Sequence, residues 1–522
     1  MDKLPASIFN DVIGPVMRGP SSSHVAGAAR IGTIIRQSLN GHVKKVLVDF
    51  DINGSLAESY HGHGSDIGFV SGILGMELTD ASVQRACEIA QEGGVDIQFN
   101  ISDYGASHPS NYRIEVCSED GICHKWEAIS VGGGMIEMQK FDGFKICICG
   151  DFFELLVKVD TTGCALENVM ETIKCIVGDY EDVASINGPY QGLINIKTML
   201  QPEEKTLEEL RGALYVLDVV HLQPILPTQS SVNCKVPFTT AAQLLERAKN
   251  GNREMWELAA LYESKRGNTS EQDVFDKMYC LVEIMENCVA EGLAGTIYSD
   301  RILGPQAHKI EEGIQKGCLI PGDVLNQVIK FITAIMEVKS SMGVIVAAPT
   351  AGSCGCLPGT VLGVGKTMGM SREEITKGML AAGLIGVFIS EGATFAAEVA
   401  GCQVECGAGS GMAAAGIAQM FHGTVEQCVD AASMALQNVT GLACDPVANR
   451  VEVPCLGKNI MGGTNAIASA NMALAGYDKV IPLDETITAI YDIGLKLPLE
   501  LRCTFGGLGK TNTSLDIRKR LS

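Results

Sequence analysis

From Ser340 to Gly365 the chain carries no charged side chain. That length of uncharged sequence is enough to cross a bilayer as a helix. Pro349 and Pro358, with Gly352, Gly355, Gly359, Gly363 and Gly365, interrupt it. Broken backbone of this kind is tolerated in an apolar medium only where protein surrounds it. The stretch therefore predicts a buried, loop-containing core segment, and no membrane span is expected. A core large enough to hold it is available. Hydrophobic residues make up 46% of the 522-residue chain and charged residues 19%, a balance that excludes wholesale disorder. A prior of roughly one domain per 150 residues suggests three or four units.

The net charge is −21. Such a surface repels phosphate backbones and anionic lipid, so neither nucleic acid nor a membrane is an expected partner. The opening Met1-Asp2-Lys3-Leu4-Pro5 lacks the apolar core of a secretion signal. Nineteen cysteines in such a chain point to a reducing compartment and a cytoplasmic location. For any one of them the bland reading is a small buried apolar residue. Cys147-x-Cys149 reads as strand residues on one face.

Hydrophobic periodicity divides the chain. Residues 1–150 read as mixed α/β, with a helix over 27–39 and strands over 43–50, 95–101, 112–117 and 124–131. Residues 151–225 read as βαββαβ, with strands at 153–159, 183–186, 192–199 and 216–222 and helices at 164–177 and 207–215. A connector over 226–240 follows Pro224 and holds Pro227 and Ser230-Ser231. Residues 241–522 read as mostly helical, with helices at 241–249, 271–291, 324–337, 373–384, 412–420 and 425–436. The fold class expected is α+β and multidomain. Gly359 to Thr367 misses the P-loop spacing because Thr360 stands where glycine is required, and Ala408 spoils a serine-hydrolase elbow at Ser410.

Several segments can carry chemistry. Gly19-Pro20-Ser21-Ser22-Ser23-His24 brings three hydroxyls and a histidine to the start of the first helix, where free N–H groups suit a carboxylate; plain capping by one serine is the alternative. His61-Gly62-His63-Gly64-Ser65-Asp66 joins histidines that move protons near neutral pH to glycines that let backbone approach a ligand. A polar surface loop, or an H-x-H metal pair, stays open there. His108-Pro109-Ser110-Asn111 and Gly132-Gly133-Gly134 are loops of the same kind. Finally, Cys402, Cys444 and Cys455 sit in Gly/Pro-rich turns, where thiolates can converge on iron. Their spacing fits no generic cluster pattern, so spacing alone leaves them as structural cysteines.

These motifs together resemble the bacterial [4Fe-4S] L-serine dehydratases over nearly the full length. GPSSSH at 19–24, GHGSD at 62–66, HPSN at 108–111 and SVGGGMI at 130–136 resemble their β part. AHK at 307–309, VAAPTAGSCGCLPG at 346–359, AGCQVECGAGSGMAAAG at 400–416, CDPVANRVEVPC at 444–455 and MGGTNAIASANMALAG at 461–476 resemble their α part. The 151–225 unit resembles an ACT domain, a module that binds amino acids or mediates dimer contacts. The order matches a two-subunit enzyme fused as β, ACT-like and α in one chain.

The resemblance implies dehydration and deamination of L-serine to pyruvate and ammonia. It implies a [4Fe-4S] cluster held by Cys402, Cys444 and Cys455, with the iron that lacks a cysteine as Lewis acid. Ser21, Ser22, Ser23, His24 and His108, with the loop Thr350, Ala351, Gly352 and Ser353, would hold the substrate. His63 would be the base or its orienter, with His61 beside it. The expected partner is a small amino acid, and the expected assembly a homodimer. The same chemistry on L-threonine or L-cysteine, or a non-catalytic amino-acid sensor, are the alternatives. Two departures stand out. Some single-chain members end in a cysteine that caps the fourth iron, whereas this sequence ends Arg518-Lys519-Arg520-Leu521-Ser522, and Cys503 reads as too far inside to imitate that tail. His61 stands where the family often has lysine. Replacing Cys402, Cys444 or Cys455 by alanine should abolish iron–sulfur absorption, whereas Cys87→Ala and Cys288→Ala should not; full iron in Cys444→Ala would remove that residue from the ligand set.

Overall fold

The structure is a computed structural model that describes residues 4–39, 41–249 and 251–521. Met1 to Lys3 and Ser522, which entered the reading of the two chain ends, lie outside it. The protein is α+β, with two sheets in the N-terminal part and helices after residue 240.

The first sheet has six strands, in the order Asp96–Ser102, Val43–Asp51, Asn111–Ser118, Cys123–Gly132, Met135–Phe141 and Phe144–Ile148. Only the first pair is parallel. Val46, Val48 and Phe50 alternate inward on the second strand and pack with Ile31, Ile34 and Ile35 of the helix Gly27–Gln37, the period-2 pattern of a half-buried strand. The last two strands and the helices Ser65–Leu74 and Ala86–Glu92 were not anticipated by periodicity. Ser65–Leu74 is apolar around most of its circumference and buried on nearly every side, so no stripe betrays it. Cys147 lies on the last strand and Cys149 one residue beyond it. Cys117 and Cys123, register partners across a hairpin, are joined as a disulfide, where the sequence suggested reduced thiols. Every buried cysteine among the described residues lies at or beyond Cys288.

The second sheet is four-stranded and antiparallel, in the order Val216–Leu222, Phe153–Asp160, Gln191–Thr198 and Asp182–Asn187. With the helices Leu166–Val177 and Glu204–Arg211 it completes the βαββαβ order, and it has its own core of Leu155, Val157, Ile173 and Ile194.

The helical half is organised by small residues. All fifteen residues of the helix Cys406–Met420 are buried. It packs on Arg372–Gly392, Val425–Asn438 and Cys455–Leu474, and its glycines and alanines let these backbones close up. A Cβ on Gly416 would stand 2.8 Å from the Gly378 carbonyl oxygen, and one on Gly463 would overlap the Thr360 hydroxyl at 2.4 Å. Arg372–Gly392 is long and apolar enough to cross a membrane, but 78% of its apolar window is buried within the protein, as expected of a core helix. The uncharged 340–365 stretch resolves into the short strand Val344–Val346, a tight loop, and the fully enclosed start of the helix Cys356–Thr367.

The N-terminal segment belongs physically to this half. Ile8, Phe9, Val12, Ile13 and Met17 lie in the helical core. Val16–Arg18 pairs antiparallel with Val344–Val346, and the Ala347 N–H donates to the Pro15 carbonyl at 3.0 Å.

The helices Gly27–Gln37 and Ser65–Leu74 touch backbone to backbone. A Cβ on Gly72 would lie 2.0 Å from the Ala29 carbonyl oxygen, and one on Gly68 would lie 2.3 Å from that of Val25. Gly72→Val should therefore destabilise the protein by about 1–3 kcal/mol or more through overpacking, measured by thermal unfolding. An unchanged melting temperature would contradict this contact.

Candidate active site

The GPSSSH segment does not cap a helix in the ordinary way. Ser22–Ala26 forms a wide, π-type turn that runs into Gly27–Gln37, and the Ser21 side chain makes no capping bond. Such turns recur at functional sites. The hydroxyls serve the histidine instead. His24 Nδ1 is hydrogen-bonded to Ser21 Oγ at 2.9 Å and Ser23 Oγ at 3.1 Å, and its Nε2 to Ser59 Oγ at 2.9 Å. Ser23 Oγ also donates to Glu398 Oε1 at 2.9 Å. Burial lowers the His24 pKa against the opposing pull of Glu398.

His63 meets His24 edge to face, with ring centroids 4.5 Å apart. It is 1% exposed, and among the described residues neither ring nitrogen has a hydrogen-bond partner. Its pKa lies well below 6.5, because burial, then His24, then Lys339 and Arg450, disfavour the imidazolium. A buried, neutral imidazole with free nitrogens is costly to keep in a structure, and its placement here points to use. The turn that carries it is set by Gly64, at φ +84°, and by Gly62, where a Cβ would meet the Asn449 carbonyl oxygen at 2.6 Å. Asn449 Nδ2 in turn donates to the Glu58 carbonyl at 3.0 Å.

The Thr350 loop closes over the serines from the helical half. The Ala351 N–H donates to Ser22 Oγ at 3.1 Å. Thr350 and Ser353 cap one another, and Thr350 Oγ1 donates to Glu405 Oε2 at 2.6 Å. The Glu405 carboxyl is pushed up to about 8, first by burial and then by Cys402 and Glu398. Gly352 lies close beneath it, and a Cβ there would stand 2.7 Å from Glu405 Oε2. Gly132 bridges Phe395 on the adjoining backbone and faces the Ala396 amide, which brings the triple-glycine loop against the segment that carries Glu398.

Cys402, Cys406, Cys444 and Cys503 share one buried cluster, and Cys455 lies within electrostatic reach of Cys402 and Cys444. Cys402 is in a short turn, Cys444 in extended backbone, and Cys455 is the first residue of the helix Cys455–Leu474. The Cys402 thiol is lowered to about 7 by a hydrogen bond from Cys406, aided by Lys458; burial raises Cys455. Lys458 Nζ binds the Ala443 carbonyl at 2.6 Å and Asp445 at 2.8 Å. The fully buried Lys339 Nζ donates to the Val451 carbonyl. Cys406 and Cys356 are otherwise engaged. Cys406 Sγ receives Asn459 Nδ2 at 3.4 Å, and Cys356 Sγ faces the Cys406 carbonyl at 3.6 Å. Among the described residues no three His, Cys, Asp or Glu side chains close on a single ion. A multi-iron cluster holds its thiolates further apart than one ion does, and buried thiols beside two lysines suit an anionic cluster.

The structure thus brings together Ser21, Ser22, Ser23, His24, His63, Thr350, Ala351, Gly352 and Ser353 at one seam, with the cysteines beyond Glu405. Of the other two sequence-read residues, His61 stands apart and His108 lies at the margin of the site, within electrostatic reach of Glu398. The His61 side chain is 78% exposed and paired with Asp66 at 2.6 Å, which raises its pKa. His108 lines a neighbouring cavity and accepts the Ser110 N–H at 3.1 Å. Sequence reading missed Glu398, Glu405, Lys339 and Asn459. Glu405 lies inside a quoted motif, and a carboxylate between Cys402 and Cys406 was a signal within reach. It also set Cys503 aside, whereas the Cys503 N–H donates to the Cys444 carbonyl at 2.9 Å, a pairing no local pattern could disclose.

A site assembled by two halves, each incomplete alone, is that of a two-part enzyme, and comparison with known proteins identifies the parts. Residues 241–508 match the family model described as serine dehydratase alpha chain, and residues 11–140 the serine dehydratase beta chain. The chain belongs to the serine dehydratase family, with the β part ahead of the α part in one polypeptide. It is 37% identical over 285 residues to the probable L-serine dehydratase alpha chain of Bacillus subtilis (strain 168), covering 54% of this chain and 95% of that one. It is 34% identical over 219 residues to the probable beta chain of the same organism, covering 41% and 97%. L-serine dehydratase 1 of Escherichia coli (strain K12) aligns at 23% identity over 513 residues, covering 94% and 95%.

Because the folded His63 pKa is lowered, the unfolded chain takes up a proton first as pH falls. The stability owed to a neutral His63 is complete above 6.5 and is lost below it. Thermal unfolding between about pH 7.5 and about pH 5 should show a smaller acid loss in His63→Gln than in the parent protein; equal losses would contradict a neutral buried His63.

Proposed function

We propose that this chain is an L-serine ammonia-lyase that converts L-serine to pyruvate and ammonia with a [4Fe-4S] cluster held by Cys402, Cys444 and Cys455. The observation that carries the reading is His63, a buried neutral base with both nitrogens free, beside paired hydroxyls and a group of buried thiols at the junction of the two halves. Family membership supports the substrate, since the relatives are named for L-serine. When bound, the cluster supplies Lewis acidity toward the substrate's carboxylate and β-hydroxyl oxygens.

The chain's own residues supply the rest. The hydroxyls of Ser21, Ser22 and Ser23 offer hydrogen bonds to the substrate carboxylate, and the Thr350 loop, whose Ala351 N–H donates to Ser22 Oγ, closes over them. Glu398, already an acceptor for Ser23, faces the ammonium. A free ring nitrogen of His63 takes the proton from Cα, and His24, fixed by Ser21, Ser23 and Ser59, holds the His63 ring edge-on. The close seam between the halves excludes water, which strengthens each of these contacts. Loss of the α-proton and the β-hydroxyl leaves an enamine, which water converts to pyruvate and ammonia after release. His61, held on the surface by Asp66, has no part in this step. The βαββαβ unit over 153–222 supports an ACT-like module.

His63→Gln should lower kcat by ~10²-fold or more, as for a lost general base, with iron content unchanged. His61→Ala should stay close to the parent protein. Anaerobic pyruvate release from L-serine measures both; a near-normal kcat in His63→Gln would move the base elsewhere.

A further inference from the structure

We propose that Lys339 is a substrate-binding residue of the seam, its ammonium group meeting the carboxylate that L-serine brings and the negative charge that builds there as the Cα–H bond breaks. The inference rests on the lyase reading and adds to it a buried cation that the reading leaves unused. Lys339 stands in the last turn of the helix Asp323–Ser340. It is 0% exposed and is one of the largest side chains wholly enclosed by the protein. Its Nζ donates to the Val451 carbonyl, a neutral acceptor. Among the described residues Lys339 forms no ion pair, whereas Lys197 pairs with Glu154 and Lys458 with Asp445. An ammonium group carries three donors, and one enclosed without an anion is among the costliest groups a fold can hold. Local rules of this kind are broken at functional sites, and an arriving anion would satisfy this one.

The surroundings of Lys339 indicate which anion. In the β part its field reaches His63. In the α part it reaches Glu405, Cys354 and Cys455. Glu405 accepts from Thr350 Oγ1 at 2.6 Å, and Cys354 directly follows Ser353 at the end of the same loop. Val451, which fixes Nζ, lies in the turn between Cys444 and Cys455. Lys339 is therefore within reach of the base, of the loop that closes over the serines, and of one proposed ligand, and the substrate has to lie among these same groups. Lys458 already faces Cys402 and Cys444 electrostatically, so those two thiols do not depend on Lys339. When His63 takes the proton from Cα, the electron pair left behind spreads onto the carboxylate oxygens. A fixed cation in a water-excluded site stabilises that charge without reorganising.

The test compares the parent protein, full-length and iron-loaded, with Lys339→Met and Lys339→Gln under anaerobic conditions. In Lys339→Met, kcat/KM for L-serine should fall by ~10²-fold or more. Iron and sulfide content should match the parent. The melting temperature should equal or exceed the parent's, because an apolar chain of similar length has replaced an enclosed, unpaired charge. Lys339→Gln keeps an N–H for the Val451 carbonyl without the charge, and should lose kcat/KM to a similar degree with iron and melting temperature preserved. A parent protein that releases no pyruvate would sink the lyase reading itself. With an active parent, three results would each overturn the role given to Lys339. Near-parental kcat/KM in either variant would show that the charge is not needed. Loss of iron in both would assign the lysine to the cluster, and a lower melting temperature in both would assign it to the fold.

Discussion

The antiparallel pairing of Val16–Arg18 with Val344–Val346 ties the β part to the α part by backbone hydrogen bonds, and the candidate site hangs from it. Immediately after the first strand come the serines and His24; immediately after the second comes the Thr350 loop. The following segments leave the antiparallel ribbon from opposite ends, one after Arg18 and the other after Val346, and meet again where the Ala351 N–H donates to Ser22 Oγ. The seam buries His24, His63 and Glu398 together. Burying such groups is unfavourable unless they find partners; His24 finds its partners in Ser21, Ser23 and Ser59 of the β part, while Ser22 and Ser23 reach across to Ala351 and Glu398 of the α part. Neither half alone offers a site in which Ser23 meets Glu398 or Ser22 meets Ala351.

Behind the seam, close packing of small residues sets the positions of the thiols. The helix Cys406–Met420 lies near enough to its neighbours that Gly462 faces both the Cys356 sulfur and the Cys406 carbonyl. Asn459 spans the gap, binding the Gly352 and Cys455 carbonyls at 2.9 and 2.8 Å and accepting the Cys356 N–H at 2.8 Å. One amide side chain thereby links the substrate loop to a proposed ligand. A rigid, interdigitated interior of this kind transmits small displacements without absorbing them, which explains why loops so rich in glycine can still hold a defined geometry.

Much of this was legible in the sequence. Alternation over 43–50 was readable because Val46, Val48 and Phe50 turn inward between more exposed neighbours, and the βαββαβ order was readable from short apolar runs set between turns, although Phe153–Asp160 and Gln191–Thr198 are buried on both faces. The helix Ser65–Leu74 was not, since it is buried all round and has no stripe to read. The GPSSSH segment was legible as a site, but its chemistry was not. Capping explains hydroxyls before a helix, and only the fold reveals that Ser21 and Ser23 turn to His24. His61 and His63 are two residues apart in one loop, yet one ring is in solvent with Asp66 and the other is enclosed without a partner. Local sequence cannot separate them, because the enclosing residues arrive from Lys339 and the 444–455 loop. Cys503 joins Cys444 through an isolated backbone bridge from a distant segment, which also lies outside the reach of spacing arguments.

The central claim is that the seam and the thiols behind it form one iron-dependent lyase site. The most direct measurement is anaerobic: count iron and sulfide in the purified full-length protein, remove the metal with a chelator, and follow pyruvate release from L-serine before removal, after it, and after reconstitution. The account predicts about four irons and about four sulfides per chain, with pyruvate release lost on removal and regained with the iron. Undiminished release of pyruvate from the metal-free protein would contradict it.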